Sequence, residues 1–197
     1  MGWKLADKAF AAALVFALTP ASATAVSALA PAQSTEQLGG PKDLDFFLGE
    51  WDIVSHDIQP NGNYAVSRAR SHAYRFLDGT SIMDEWRSLD GQGETVFRGA
   101  SFRTWLPRQQ QWQILWMMAG ATGETVISGR MKDGEFHMEG HGRDGYGEFL
   151  ERARYHDISE DSFQFTMDRS YDGGESWIAP FNTFTATRRN RVDSPKE

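Results

Sequence analysis

The chain has 197 residues, of which 40% are hydrophobic, 13% aromatic and 24% charged, enough apolar side chains to offset the ordering entropy of one folded domain. Twenty Lys and Arg stand against 27 Asp and Glu, a formal charge of −7, which argues against a nucleic-acid binder held by phosphate contacts. The absence of cysteine excludes disulfides, thiol catalysis, thiolate metal sites and a cysteine-linked lipid.

The N-terminus reads as an export leader. Lys4 and Lys8 flank the start of an apolar run, Ala9–Leu18, which Pro20 ends. Ala21-Ser22-Ala23 and Ala28-Leu29-Ala30 each offer the small residues that a cleavage site needs. This is the three-part pattern of a secretory signal peptide, assigned to residues 1–30. The run lacks the polar face of an amphipathic anchor and falls short of the roughly 20 residues that span a bilayer. Residues 31–42 continue an Ala/Ser/Thr/Pro-rich stretch and read as a flexible lead-in, 43–190 as the folded domain and 191–197 as a tail. The expected location is periplasmic or secreted, with no membrane span after cleavage.

The remainder is punctuated by turns. Asx-Gly pairs, which accept positive φ and favour hairpins, stand at Asn61-Gly62, Asp78-Gly79, Asp90-Gly91, Asp133-Gly134, Asp144-Gly145 and Asp172-Gly173. Pro107–Gln110, Ala119–Gly123 and Ser159–Asp161 add three less regular turns. They delimit ten strands: Glu50–Ile58, Tyr64–Leu77, Thr80–Leu89, Glu94–Leu106, Gln111–Met118, Glu124–Lys132, Glu135–Arg143, Gly147–Ile158, Ser162–Tyr171 and Trp177–Arg188. No long stretch shows helical periodicity, although one helical turn near Asp43–Leu48 is placed to plug an end. Sequential hairpins imply an antiparallel meander, and ten strands leave two edges unless the sheet closes. The fold class expected is therefore all-β, an up-and-down antiparallel barrel.

Ser170–Trp177 fits the S-x-D-x-G-x-[ST]-W hairpin motif called the Asp box. It resembles the turns of sialidase propellers, but it occurs once here, so only the hairpin is carried over. Gly49-Glu50-Trp51 supplies a G-x-W at the opening of the first strand. With Leu77-Asp78-Gly79, Glu85-Trp86, Trp105-Leu106-Pro107 and Trp112, it resembles a lipocalin-like, calycin-type family of bacterial secreted proteins from Leu44 to Thr187. That resemblance implies the barrel and leaves the activity open. Haem-binding nitrobindins are a related ten-stranded group. Their longer G-x-W-x-G-x-G motif is missing, and the last strand has no histidine to serve as the expected haem ligand. No cofactor is expected.

Turn geometry also predicts which residues share a face. A two-residue Asp78-Gly79 loop sets Leu77 opposite Thr80. An even loop at Gly91-Gln92 sets Leu89 opposite Glu94, and one within Pro107–Gln110 sets Leu106 opposite Gln111. One face then carries Ser71, Ala73, Arg75, Ile82, Asp84, Trp86, Phe97, Gly99, Ser101, Arg103, Trp105, Trp112, Ile114, Trp116 and Met118. Small residues oppose large ones there: Ser71 meets Trp86, Ser101 meets Trp116 and Gly99 meets Met118, as a densely packed interior requires.

This tryptophan-rich face is assigned to the interior, and its charges need partners. Asp84 lies diagonal to Arg75, which leaves Arg103 as spare positive charge. Arg75, Asp84, Trp86, Arg103, Trp116 and Met118 are therefore the candidate ligand-binding residues, for a small, apolar or anionic molecule. The competing reading puts Arg75 and Arg103 at the barrel rim, with their heads in water. On the opposite face His72, Glu85 and Arg98 form a row: a general acid/base unit if inside, a charge ladder if outside. His137-x-Glu139-x-His141 has metal-like alternation, but residues four apart in a strand span about 13 Å, too far for two imidazoles to share an ion at about 2.1 Å. Phe136 and Met138 look inward and turn these histidines to solvent, so no metal is expected. Three functions follow: a binding protein for such a molecule, a small isomerase or hydratase using Asp84 or His72/Glu85, and an interaction module. The last would dock or form a homodimer through the exposed apolar face of Tyr74, Phe102, Leu115 and Met117.

Overall fold

The turns do set the strands. A computed structural model describes residues 39–189, and within them every connection but one is a short hairpin loop. The ten strands are β1 (Gly49–Ile58), β2 (Tyr64–Phe76), β3 (Ser81–Leu89), β4 (Thr95–Leu106), β5 (Gln111–Met118), β6 (Glu124–Lys132), β7 (Glu135–Asp144), β8 (Gly147–His156), β9 (Ser162–Ser170) and β10 (Ile178–Arg188). Each pairs antiparallel with its neighbour in sequence, and β1 pairs with β10, from Trp51 opposite Arg188 to Asp57 opposite Asn182, closing the barrel. Closure leaves no edge strand among the described residues to pair with another chain. The leader expected over 1–30 and the tail 191–197 lie outside the described residues. No helix of the described residues is long and apolar enough to cross a membrane.

The expected faces hold, with the tryptophan-rich side inward. Leu89 faces Thr95, however, where the even loop set it opposite Glu94. The Asp90 carboxylate accepts hydrogen bonds from the amides of Gln92 and Glu94 and builds a five-residue loop, with a bulge beyond Ser88. The register of β3 on β4 consequently slips by two residues. A slip of two preserves which face each side chain takes but changes its neighbours. Asp84 faces Ser101, Trp86 faces Gly99, and Arg103 faces Ile82 rather than Thr80.

One end of the barrel is closed by the segment before β1. Asp45–Phe47 forms a single 3-10 turn, and Leu44 and Phe47 are 0 and 4% exposed. Burying such side chains stabilises the fold by about 1.5–3 kcal/mol each. Gly40, counted above with the lead-in, also belongs to the plug: its carbonyl accepts a hydrogen bond from Trp112 Nε1 at 3.2 Å. Trp51 Nε1 donates to the Phe47 carbonyl at 2.9 Å, so the tryptophan of the G-x-W ties the plug to the core. Arg188 caps the assembly, its guanidinium lying 4.2 Å from the Trp51 ring centre while Nη1 donates to the Leu48 carbonyl at 2.9 Å. At the other end the Asp box is self-contained. Ser170 Oγ donates to Asp172, Ser176 donates from its amide and its hydroxyl to the same carboxylate, and Trp177 Nε1 donates to the Gly174 carbonyl. The Ser176 and Ser170 hydrogen bonds hold the Asp172 carboxyl far below the usual range. The motif is a hairpin device, as expected.

Candidate functional site

Alternation through β3, β4 and β5 sends Trp86, Gly99, Trp116 and Met118 into the barrel, and the plug fills only one end. What stays unfilled is a cavity of about 450 Å³, entered from the end opposite the plug. Trp86, Phe97, Trp116, Phe149, Phe165 and Phe184 stand in its wall. Phe165 and Phe184 stack at 4.6 Å, and Trp86 lies 5.5 Å from Phe184. Glycine makes room for these rings: a Cβ at Gly99 would stand 2.5 Å from the Trp116 ring.

The floor is polar. Asp84 and Arg103 are 2 and 5% exposed, and Arg103 Nε donates to Asp84 Oδ1 at 3.0 Å and to Ser101 Oγ at 2.9 Å. Ser101 Oγ in turn donates to Asp84. Both terminal nitrogens of Arg103 donate to the Tyr155 hydroxyl oxygen at 3.3 Å, and the guanidinium lies 4.0 Å from the Phe47 ring centre. Burial opposes charge on Arg103, but the Tyr155 oxygen and the Asp84 carboxylate offset it and push the guanidinium pKa above its ordinary value. For Tyr155 burial dominates and pushes the phenol pKa up, with Arg103 countering in part. Ser71 Oγ, elsewhere in the lining, is buried without a hydrogen-bond partner among the described residues.

A second cluster sits nearer the mouth. Arg169 pairs with Asp144 and Glu151, each at 3.0 Å, and its guanidinium lies between the Phe149 and Phe181 rings at 3.8 and 4.4 Å. Burial pushes the Glu151 carboxyl up, and Arg169 offsets only part of that.

Asp84, Trp86, Arg103, Trp116 and Met118 all line the cavity. Arg75 does not. It sits at the plug end, where it pairs with Asp45 and donates to the Gly79 carbonyl at 3.1 Å, so the rim reading holds for Arg75 and fails for Arg103. The slip in register brings Asp84 beside Arg103, while Arg75, still opposite Ile82 as expected, turns to Asp45 of the plug. The spare positive charge disappears with it, because every arginine of the floor and mouth clusters is matched by a carboxylate. Asp57, Asp84, Glu124, Asp144 and Glu151 line the cavity against Arg103, Arg143 and Arg169. The basis for an anionic ligand is thereby removed.

His72 and Glu85 are opposite one another on the outer wall, and Glu85 pairs with Arg87 at 3.0 Å, while Arg98 faces Arg87. The slip breaks the expected row by setting Glu85 opposite Ala100, and the acid/base alternative built on His72 and Glu85 loses its enclosed site. His137, Glu139 and His141 also face outward, each opposite residues of β6 and β8. Among the described residues no cluster of three His, Asp or Glu is placed to hold a metal ion. Tyr74, Phe102, Leu115 and Met117 lie on the outer wall, with Tyr74, Phe102 and Leu115 half-buried. Tyr155, Glu151 and Arg169 were missed. The Asp144-Gly145 turn carries the signal: it sets β8 on β7 with Tyr155 opposite Phe136, on the inward face already assigned to Phe136 and Met138.

The fold and its cavity define the class: an all-β, ten-stranded closed barrel of calycin-like architecture. No protein-family model matches the chain, and no curated protein sequence matches it. Solved structures do. Rv2717c from M. tuberculosis is similar at a TM-score of 0.55 with 9% identity, covering 75% of this chain and 98% of that one. The S-type phycobiliprotein lyase CPES from Guillardia theta is similar at 0.57 with 12% identity, covering 78% of this chain and 94% of that one. At these identities the likeness is one of fold.

Proposed function

We propose that this protein is an exported binding protein that holds a small, largely apolar, uncharged molecule inside the barrel. The observation that carries the reading is the aromatic-walled cavity of about 450 Å³, open at one end and plugged at the other. Ligand pockets typically occupy roughly 300–1,000 Å³, mostly apolar with a few placed polar groups. One barrel of similar fold is a lyase, so turnover is the rival. Asp84, the enclosed residue on which a turnover reading is built, is ion-paired with Arg103, and its Oδ1 accepts from Arg103 and Ser101. That pairing supports holding a molecule over transforming it.

Titration with N-phenyl-1-naphthylamine, a neutral fluorophore, tests this. Wild-type protein gives saturable, one-to-one binding. Ala153→Phe, which places a ring into the cavity that Ala153 lines, abolishes it while leaving the circular dichroism spectrum unchanged. Equal binding by both proteins overturns the reading. Export is tested by N-terminal sequencing of protein recovered from the periplasm or medium of a bacterial host. A new N-terminus near Ala23 or Ala30 agrees with it, and retention of Met1 in the cytoplasm contradicts it.

A further inference from the structure

The floor of the cavity has more hydrogen-bond donors than the fold uses. Tyr155 Oη accepts from both Arg103 Nη1 and Nη2, which occupies its two lone pairs. Its own proton must point elsewhere, and among the described residues Tyr155 Oη donates no hydrogen bond. Arg103 has five N–H groups, of which one on Nε and one on each terminal nitrogen account for the bonds present. Ser71 Oγ is buried and has no hydrogen-bond partner among the described residues. All three residues line the same cavity. Buried polar groups in folded proteins are nearly always paired, so a set of unclaimed donors around one void marks where a partner binds. Asp84 Oδ1 accepts from both Ser101 and Arg103, and the carboxylate balances the guanidinium charge, so the floor carries these donors without net charge.

We infer that the ligand enters head-first and presents a neutral carbonyl-type oxygen to Tyr155, Ser71 and the free N–H groups of Arg103, with its apolar body against Trp86 and Trp116. Its class is a compact ketone, ester, lactone or quinone. An anion would add an unbalanced charge to a neutral cluster, and a plain hydrocarbon would leave the donors unpaired. This inference rests on the cavity being a binding site, and the test separates the two.

Three probes built on one bicyclic frame distinguish the cases by calorimetry: α-tetralone, tetralin, in which methylene replaces the carbonyl, and a tetralin carboxylate. Wild-type protein binds α-tetralone about tenfold tighter than tetralin, the worth of about one hydrogen bond in a dry site. The carboxylate binds more weakly than the ketone. Tyr155→Phe brings the ratio of ketone to tetralin affinity down toward one. Ser71→Ala, which removes no bond that the fold uses, lowers α-tetralone affinity a few-fold at unchanged thermal stability. The infrared carbonyl stretch of bound α-tetralone moves to lower frequency in wild type and returns in Tyr155→Phe. Equal affinity for ketone and hydrocarbon, or unchanged ketone affinity in both variants, overturns the inference and leaves the cavity reading standing. Tighter binding of the carboxylate overturns the neutral class. Failure of all three probes to bind overturns the cavity reading as well.

Discussion

Asp84→Ala is the sharpest perturbation of the floor. Asp84 is 2% exposed and accepts from Arg103 Nε at 3.0 Å and from Ser101, so its removal leaves a 5% exposed guanidinium with only a phenol and a serine for company. Breaking a buried ion pair from one side costs about 3–5 kcal/mol, because the surviving charge stays desolvated. For a domain of this size that is a fall in Tm of about 6–20 °C. Urea unfolding followed by tryptophan fluorescence reads the change. The double variant Asp84→Leu, Arg103→Met removes both charges and is expected to be more stable than Asp84→Ala alone, although it deletes more hydrogen bonds. A loss below about 1 kcal/mol in the single variant, or a double variant weaker than the single, refutes the claim that the pair is dry and mutually dependent.

Other consequences are simpler to read. Gly99→Ala places a Cβ 2.5 Å from the Trp116 ring, which must swing into the cavity; overpacking costs about 1–3 kcal/mol, and calorimetry should show weaker binding of a neutral probe. Arg188→Ala loses the stack on Trp51 and charge-assisted bonds to the plug, an expected fall of about 2–4 kcal/mol by urea unfolding. Arg75→Ala, by contrast, removes a half-exposed ion pair and should cost at most about 1 kcal/mol with ligand affinity unchanged. Glu151 gives a pH dependence. Its folded pKa lies above its unfolded value of about 4.5, so its charge opposes folding; the penalty is absent below that value, grows as pH rises toward the folded pKa and is complete above it. Glu151→Gln should therefore gain on wild type as pH rises from about 4 to about 8, and a loss at neutral pH shows that the Arg169 pair outweighs burial.

The architecture was legible because turns and alternation are local. Asx-Gly pairs need no tertiary information to bend the chain, and each strand matches its expected span to within two residues. The inward face was legible for a related reason: Ser71, Gly99 and Ser101 are small where Trp86 and Trp116 are large, and only one face satisfies that complementarity. The partner of Arg103 was not legible. It depended on the loop after Leu89 holding five residues, where Asp90 caps two amides, and on the bulge beside it, which together shift the register by two. Tyr155 and Arg169 were hidden by distance along the chain, since a barrel brings β8 and β9 across the cavity from β3 and β4 only once it has closed.

The protein carries its own reporters for the central claim. Met118, Met138 and Met167 line the cavity, while Met83 and Met117 lie on the outer wall. Methyl-labelled methionine spectra titrated with N-phenyl-1-naphthylamine should show saturable shifts at Met118, Met138 and Met167 and none at Met83 and Met117. Shifts confined to Met83 and Met117, or none at any methionine, contradict a binding site inside the barrel.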